Sequence, residues 1–252
     1  MPQIYLCFLW HMHQPFYKDL ASGEYKLPWT RMHALKDYYG MVRILEEFPK
    51  VKQTFNLVPS MMAQVEEYAS GTARDPFLDL ALKPAEHLSA EEREFLLQHS
   101  FYSDPTRMIY RYPRYGELFD ARNGQKNTGA RNMFSAQELR DVQMWSQLAW
   151  FDEEFQSGDA EVRGWIERGR NFSLDDQRRM GEKQREIVGQ VMPAYRRLAA
   201  STLSGEAPSR SAGWSKAPIS RTAAGALWAL AIVVALGVVY LAIHAGYFTG
   251  AK

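Results

Sequence analysis

The stretch best suited to chemistry is HMHQP, which occupies residues 11–15 near the start of the chain. It follows an apolar segment, QIYLCFLW (residues 3–10), whose aromatic and β-branched side chains are typical of a buried strand. Because side chains alternate between the two faces of a strand, His11 and His13 point the same way. Three kinds of chemistry fit such a pair: metal ligation, binding of sugar hydroxyls, and ordinary hydrogen bonding at a strand end.

The histidine pair lacks the further ligands that a metal site needs. A protein metal site takes three or more ligands, which usually come from later strand ends. The other histidines, His33, His87, His99 and His244, all lie in segments with helical patterns. The single cysteine, Cys7, rules out a cysteine-based zinc cluster. The sequence therefore predicts no metal and no other cofactor.

Sugar binding is the chemistry that the neighbouring residues favour. Gln14 directly follows the pair, and histidine and glutamine side chains both donate and accept hydrogen bonds. Aromatic rings provide the apolar platforms of small-molecule sites. Those nearby in the sequence are Trp10, Phe16, Tyr17 and Trp29. Histidines that are simply satisfied at a strand end stay open as an alternative.

The elements around HMHQP follow an alternating order of strands and helices. TRMHALKDYYGMVRILEEF (residues 30–48) is typical of a helix, with Thr30 as N-cap and apolar residues at every third or fourth position. VKQTFNLV (residues 51–58) predicts a second strand, and the next helix starts at Pro59 and stops before Gly71. This order indicates a parallel α/β sheet or barrel, in which ligands gather at the carboxyl ends of strands. Both HMHQP and FNLVPS lie at such ends.

Helical patterns replace the strand patterns after Asp75. Ser89 and Ser135 stand as N-caps with capping-box spacing, and Ser173 is a further N-cap. Residues 122–132 read as a polar loop. The sequence therefore divides into first barrel units (1–74), a helical insertion or subdomain (75–200), a flexible linker (201–221) and an apolar segment (222–246).

The C-terminal apolar segment predicts a transmembrane helix. Residues 222–251 contain no Asp, Glu, Lys or Arg, and the stretch exceeds the about 20 apolar residues that cross a bilayer. Arg210, Lys216 and Arg221 precede it, and only Lys252 follows. By the positive-inside rule, we expect a cytoplasmic domain anchored to the membrane by this helix, or a soluble cytoplasmic protein if the tail is an artefact.

Composition argues against nucleic acid as a partner. The 252 residues carry 30 basic and 29 acidic side chains, for a formal net charge of +1, so there is no global basic field. The start of the chain, MPQIYLCFLW, has neither a basic region nor a cleavage site of a secretory signal. The oligomeric state stays open.

The segment FLWHMHQPFY resembles the first motif of glycoside hydrolase family 57, whose members carry H-x-H-Q-P at the end of the first barrel strand. The sequence that follows is similar to the N-terminal region of members labelled amylase or amylopullulanase-like, from about residue 2 to residue 200. The resemblance implies the N-terminal part of a (β/α)7 barrel and retaining hydrolysis or transglycosylation of α-glucans. It also implies that His11, His13 and Gln14 line a donor-sugar subsite. Asn56 and Trp29 are further candidates for substrate binding.

The carboxylates of that family's chemistry are not found in the sequence. Retention of configuration needs two carboxyl groups about 5 Å apart. Neither the family's nucleophile motif nor its acid/base motif is present, and Asp152, Glu153 and Glu154 follow a helical period typical of a solvated face. We therefore expect a truncated glycosidase without catalytic residues, joined to an unrelated tail. The alternative is a membrane-tethered, non-catalytic carbohydrate-binding or scaffold protein.

Overall fold

The strands that carry the histidine pair and Asn56 lie side by side. The computed structural model describes residues 6–128 and 134–204. Within them, β1 (Leu9–Met12) pairs in parallel with β2 (Thr54–Leu57), and His11 is the direct partner of Asn56. The strand predicted over residues 3–10 is shifted, because β2 pairs as far along as Met12. Both strands of the prediction therefore exist, but they are shorter and β1 contains His11.

A long composite helix connects the two strands. It consists of α1 (Trp29–His33), a π-helical turn (Ala34–Tyr38), α2 (Tyr39–Arg43) and a 3₁₀ turn (Ile44–Glu47). The helix predicted over this stretch is confirmed, whereas the π turn leaves no mark in the hydrophobic period. The apolar positions that predicted the helix are all buried: Met32, Leu35, Tyr39, Val42 and Leu45.

The rest of the described chain is helical. The helices are α3 (Pro59–Ser70), α4 (Pro76–Leu82), α5 (Ala90–His99), α6 (Pro113–Thr128), α7 (Ala136–Leu148), α8 (Glu153–Gly158), α9 (Ala160–Arg168) and α10 (Leu174–Ser204). A 3₁₀ turn (Ala85–His87) and a second π turn (Pro105–Ile109) lie between them. Gly71 ends α3 in the left-handed conformation, with φ of 75°. That conformation favours glycine, as the sequence indicated.

Two local predictions are confirmed and one is corrected. Ser89 and Ser135 each form a complete capping box, at the starts of α5 and α7. The polar loop predicted over residues 122–132 is wrong in its first part, since α6 continues to Thr128. Tertiary contact explains the difference: the Arg122 guanidinium lies 4.9 Å from the ring centroid of Phe101 and 5.2 Å from that of Phe119.

The described residues form a mostly helical α/β arrangement. Helix α10 packs against α3, α2, α4 and α7, and these helices enclose the core. Two strands cannot close a barrel, and in residues 6–128 and 134–204 no further strand joins this sheet. The (β/α)7 barrel of the prediction is therefore not shown, although the parallel pairing and the helix between the strands are.

The predicted membrane segment, residues 222–246, and the linker beyond Ser204 lie outside the described residues. Among the helices that are described, none combines the length and the apolar composition needed to span a bilayer.

Arg31 is the centre of the helical part. Only 2% of its side chain is exposed, and Nε donates to Asp75 Oδ2 at 2.9 Å. Nη1 donates to Oε1 of Gln147 on α7 and to Oε1 of Gln184 on α10, each at 2.7 Å. The Tyr68 hydroxyl on α3 donates to the same Asp75 oxygen at 3.1 Å. One buried ion pair thus holds α1 against three other helices.

Replacing Asp75 by Asn should lower the free energy of unfolding by about 3–5 kcal/mol, because the buried Arg31 guanidinium loses its counter-charge. Urea denaturation followed by circular dichroism measures this. Asp79→Asn is the matched control, since it removes the same charge from an exposed position in α4 and should change stability by about 0.5 kcal/mol or less. Equal losses in the two variants would show that the buried pair is not special.

Candidate functional site

His11, His13 and Asn56 form a connected polar row, which we call the histidine row. His11 Nδ1 lies 3.0 Å from Asn56 Nδ2, and His11 Nε2 lies 3.3 Å from His13 Nδ1. The first contact follows from the register of the strands, in which His11 and Asn56 are partners. All three residues are exposed. Three of the predicted site residues therefore meet at one solvent-facing edge.

The order of the contacts decides where the ring protons lie. The Asn56 amide nitrogen can only donate, so a neutral His11 accepts at Nδ1 and carries its proton on Nε2. That proton is donated to Nδ1 of His13, which leaves the His13 proton on Nε2. The row thus ends in an N–H donor, a group that suits the oxygen of a hydroxyl.

Gln14 is held beside the histidine row from two directions. Its Nε2 donates to the Tyr38 hydroxyl at 2.7 Å, and its carbonyl accepts from the Ser60 hydroxyl at 2.7 Å. Tyr38 belongs to the π turn of the composite helix and is 5% exposed. Burial raises the pKa of Tyr38 to about 12, so its hydroxyl stays neutral at physiological pH. The π turn and the start of α3 together position Gln14.

Trp29 contacts other aromatic residues rather than the histidine row. Its ring centroid lies 6.0 Å from that of Tyr102 and 6.0 Å from that of Trp150. Trp150 meets His33 edge-on at 5.7 Å, and His33 stacks on Tyr38 at 6.2 Å. The sequence did not point to Tyr102 or Trp150, because the two come from segments far from Trp29 along the chain. Only the tertiary structure brings them together.

The other aromatic candidates differ in exposure. Trp10 is 37% exposed and Phe16 is 44% exposed, so both present part of a ring to solvent near the histidines along the chain. Tyr17 is partly buried, and its backbone N–H donates to Gln64 Oε1 at 3.0 Å. Trp10 and Phe16 therefore keep the exposure that a stacking role requires.

The described residues contain no group of three or more His, Cys, Asp or Glu side chains that could hold a metal ion. The histidines of the helices have other contacts. His33 Nδ1 lies 2.7 Å from Asp37 Oδ2, and His99 Nδ1 lies 2.8 Å from the carbonyl oxygen of Phe95. His244 lies outside the described residues.

Asp152 departs from the solvated helix face expected for its segment. Its side chain begins α8 as N-cap, with Oδ1 accepting from Glu154 N at 2.9 Å. Its own N–H donates to the carbonyl of Leu35 in the π turn at 2.9 Å. The carboxyl group fills the space where a Cβ on Gly40 would be, so only glycine fits there. Glu153, by contrast, is 68% exposed, as expected.

Two carboxyl groups near the π turn have opposite electrostatics. Burial raises the pKa of Asp152 to about 7, and the charges of Asp37 and Glu154 add to the effect. Burial also acts upward on Asp37, but hydrogen bonds from His33 and Lys36 outweigh it and hold the pKa of Asp37 below its usual value. Asp152 therefore titrates near neutral pH while it is packed against backbone.

Asp152→Asn should stabilise the protein at pH 8 and have little effect at pH 4. The folded-state pKa of Asp152 is raised, so the folded protein binds the proton more tightly between about pH 4 and pH 7 and loses stability as pH rises through that range. The gain at pH 8 should reach about 2–4 kcal/mol, from 1.36 kcal/mol per pKa unit. Urea unfolding at several pH values measures it.

Glu94→Gln, at an exposed position of α5, serves as the control and should show a small effect that varies little with pH. A constant difference between Asp152→Asn and the unchanged protein over this pH range would contradict the assignment of a near-neutral pKa to Asp152.

Comparison with known proteins identifies the family. The family model described as glycosyl hydrolase family 57 matches residues 7–204, which include both strands and extend to the end of α10. Neither the curated proteins nor the solved structures gave a match. Because the family match covers most of the 252 residues, including the strand with the histidine pair, the chain belongs to glycosyl hydrolase family 57.

Proposed function

We propose that this chain binds an α-glucan or a related neutral oligosaccharide at the histidine row and Gln14. The observation that carries the proposal is the row itself, a connected set of uncharged donors and acceptors at the carboxyl ends of two parallel strands. Such groups match hydroxyls, which both donate and accept. Membership in a glycosyl hydrolase family supports a carbohydrate ligand.

Binding without cleavage is the second part of the proposal. The activity of the family's α-glucan enzymes, retaining hydrolysis or transglycosylation, needs two carboxyl groups about 5 Å apart. In the described ranges, the hydrogen bonds of His11 and His13 go to each other and to Asn56, and none goes to a carboxylate. Asp152 is engaged with the π turn and with α8. Turnover by the chain is the alternative.

His13→Ala should weaken the binding of maltoheptaose by about tenfold, because it removes the donor at the end of the histidine row. Isothermal titration calorimetry gives the dissociation constants. His87→Ala, at an exposed position in the 3₁₀ turn, is the matched control and should bind like the unchanged protein. Identical affinities in both variants would remove the histidine row from the binding site.

The same samples test the absence of cleavage. Incubation of the unchanged protein with maltoheptaose should release no shorter sugars, as judged by chromatography. Turnover that disappears in His13→Ala would overturn the proposal and make this chain an enzyme.

We also propose that residues 222–246 attach the protein to the cytoplasmic side of a membrane. The support is the absence of Asp, Glu, Lys and Arg from residues 222–251 and the basic residues Arg210, Lys216 and Arg221 before them. The tethered protein would then be a carbohydrate-binding or scaffold protein at the membrane surface.

Removal of residues 222–252 should move the protein from the membrane pellet to the supernatant after ultracentrifugation of a lysate. Replacing both Val233 and Val234 by Asp should do the same without shortening the chain, since charges in a span are costly. A full-length protein that is already in the supernatant would show that the segment is not an anchor.

A further inference from the structure

A small cavity lies next to Trp29, Tyr102 and Trp150. Its volume is about 40 Å³, which is enough for a water molecule or a small polar group. Polar side chains contribute to its lining: Arg31 is 2% exposed, and Ser146 and Gln147 are each 5% exposed. Tyr102 is 43% exposed, so the aromatic side of the cavity reaches solvent while its polar side is buried.

Arg31 has a donor to spare at this cavity. Its Nε and Nη1 are engaged by Asp75, Gln147 and Gln184, whereas Nη2 is buried without a hydrogen-bond partner among the described residues. A buried N–H without an acceptor is costly, so a matching oxygen is favoured there. The positive charge of Arg31 is already balanced by Asp75. The unmet need is therefore an uncharged acceptor such as a hydroxyl oxygen, not an anion.

The rings above the cavity continue toward the histidine row. The centroid distances are 6.0 Å for Tyr102 to Trp29, 6.0 Å for Trp29 to Trp150, 5.7 Å for Trp150 to His33 and 6.2 Å for His33 to Tyr38. The Tyr38 hydroxyl accepts from Gln14. We call this sequence of contacts the aromatic path. It joins the two places at which uncharged polar donors meet exposed rings.

We propose that Trp29, Tyr102 and the cavity beside Arg31 form a distal subsite for a neutral oligosaccharide. The inference rests on the proposed function at the histidine row and adds a chain-length preference to it. One sugar unit binds at the row, and a unit farther along stacks on Tyr102 and Trp29. A hydroxyl of the distal unit, directly or through a water, gives Arg31 Nη2 its acceptor. Short sugars reach only one of the two places.

The experiment compares maltose with maltoheptaose on the full chain by isothermal titration calorimetry. The unchanged protein should bind maltoheptaose more tightly than maltose. Tyr102→Ala should weaken maltoheptaose by about tenfold, the order expected for the loss of one stacked ring, and leave maltose within about twofold. Tyr110→Ala is the matched control, since Tyr110 is 52% exposed and stands outside the aromatic path. It should change neither affinity.

The outcomes separate this inference from the proposed function. If Tyr102→Ala leaves the affinity for maltoheptaose unchanged, or weakens both sugars equally, the distal subsite is wrong while the histidine row stands. If His13→Ala has no effect and Tyr102→Ala does, the distal subsite stands and the histidine row fails. If neither sugar binds the unchanged protein, both are wrong. Competition by acetate would overturn the assignment of a neutral ligand.

Discussion

The buried pair of Arg31 and Asp75 is the interaction on which the helical part depends. A guanidinium that is 2% exposed is tolerated only when its charge is balanced and its donors find acceptors. The acceptors here come from different helices, so α1, α4, α7 and α10 can meet in only one arrangement. Asp75 also caps α4 through Oδ1, which accepts from the N–H groups of Phe77 and Leu78. A charge buried at the centre thus specifies the packing around it.

The same constraint reaches the candidate site through the composite helix. Arg31 fixes α1, and the π turn that follows α1 receives the Asp152 N–H at Leu35 and presents Tyr38 to Gln14. π turns are rare and are frequent at functional sites. Here the turn connects the helical part to the strand ends. The aromatic path and the histidine row are therefore two parts of one supported surface and not independent features.

Local patterns predicted much of this arrangement because the physics behind them is local. Strand alternation placed His11 and His13 on one side, and the capping boxes at Ser89 and Ser135 marked the starts of two helices correctly. The same logic failed for Asp152, whose helical period suggested a solvated position. Its burial arises from Gly40, more than a hundred residues earlier in the chain, and no local pattern reports such a contact.

By itself, the sequence determined the family motif, the alternation of the first strands and helices, and the histidines, glutamine and asparagine of the candidate site. These follow from residue types and short spacings, which act through neighbouring backbone. Tertiary structure alone decided that His11 faces Asn56, that Trp29 joins Tyr102 and Trp150, and that Arg31 retains a free donor beside a cavity. These features depend on register and helix packing between distant segments, where burial and unmet hydrogen bonds are properties of the assembled chain.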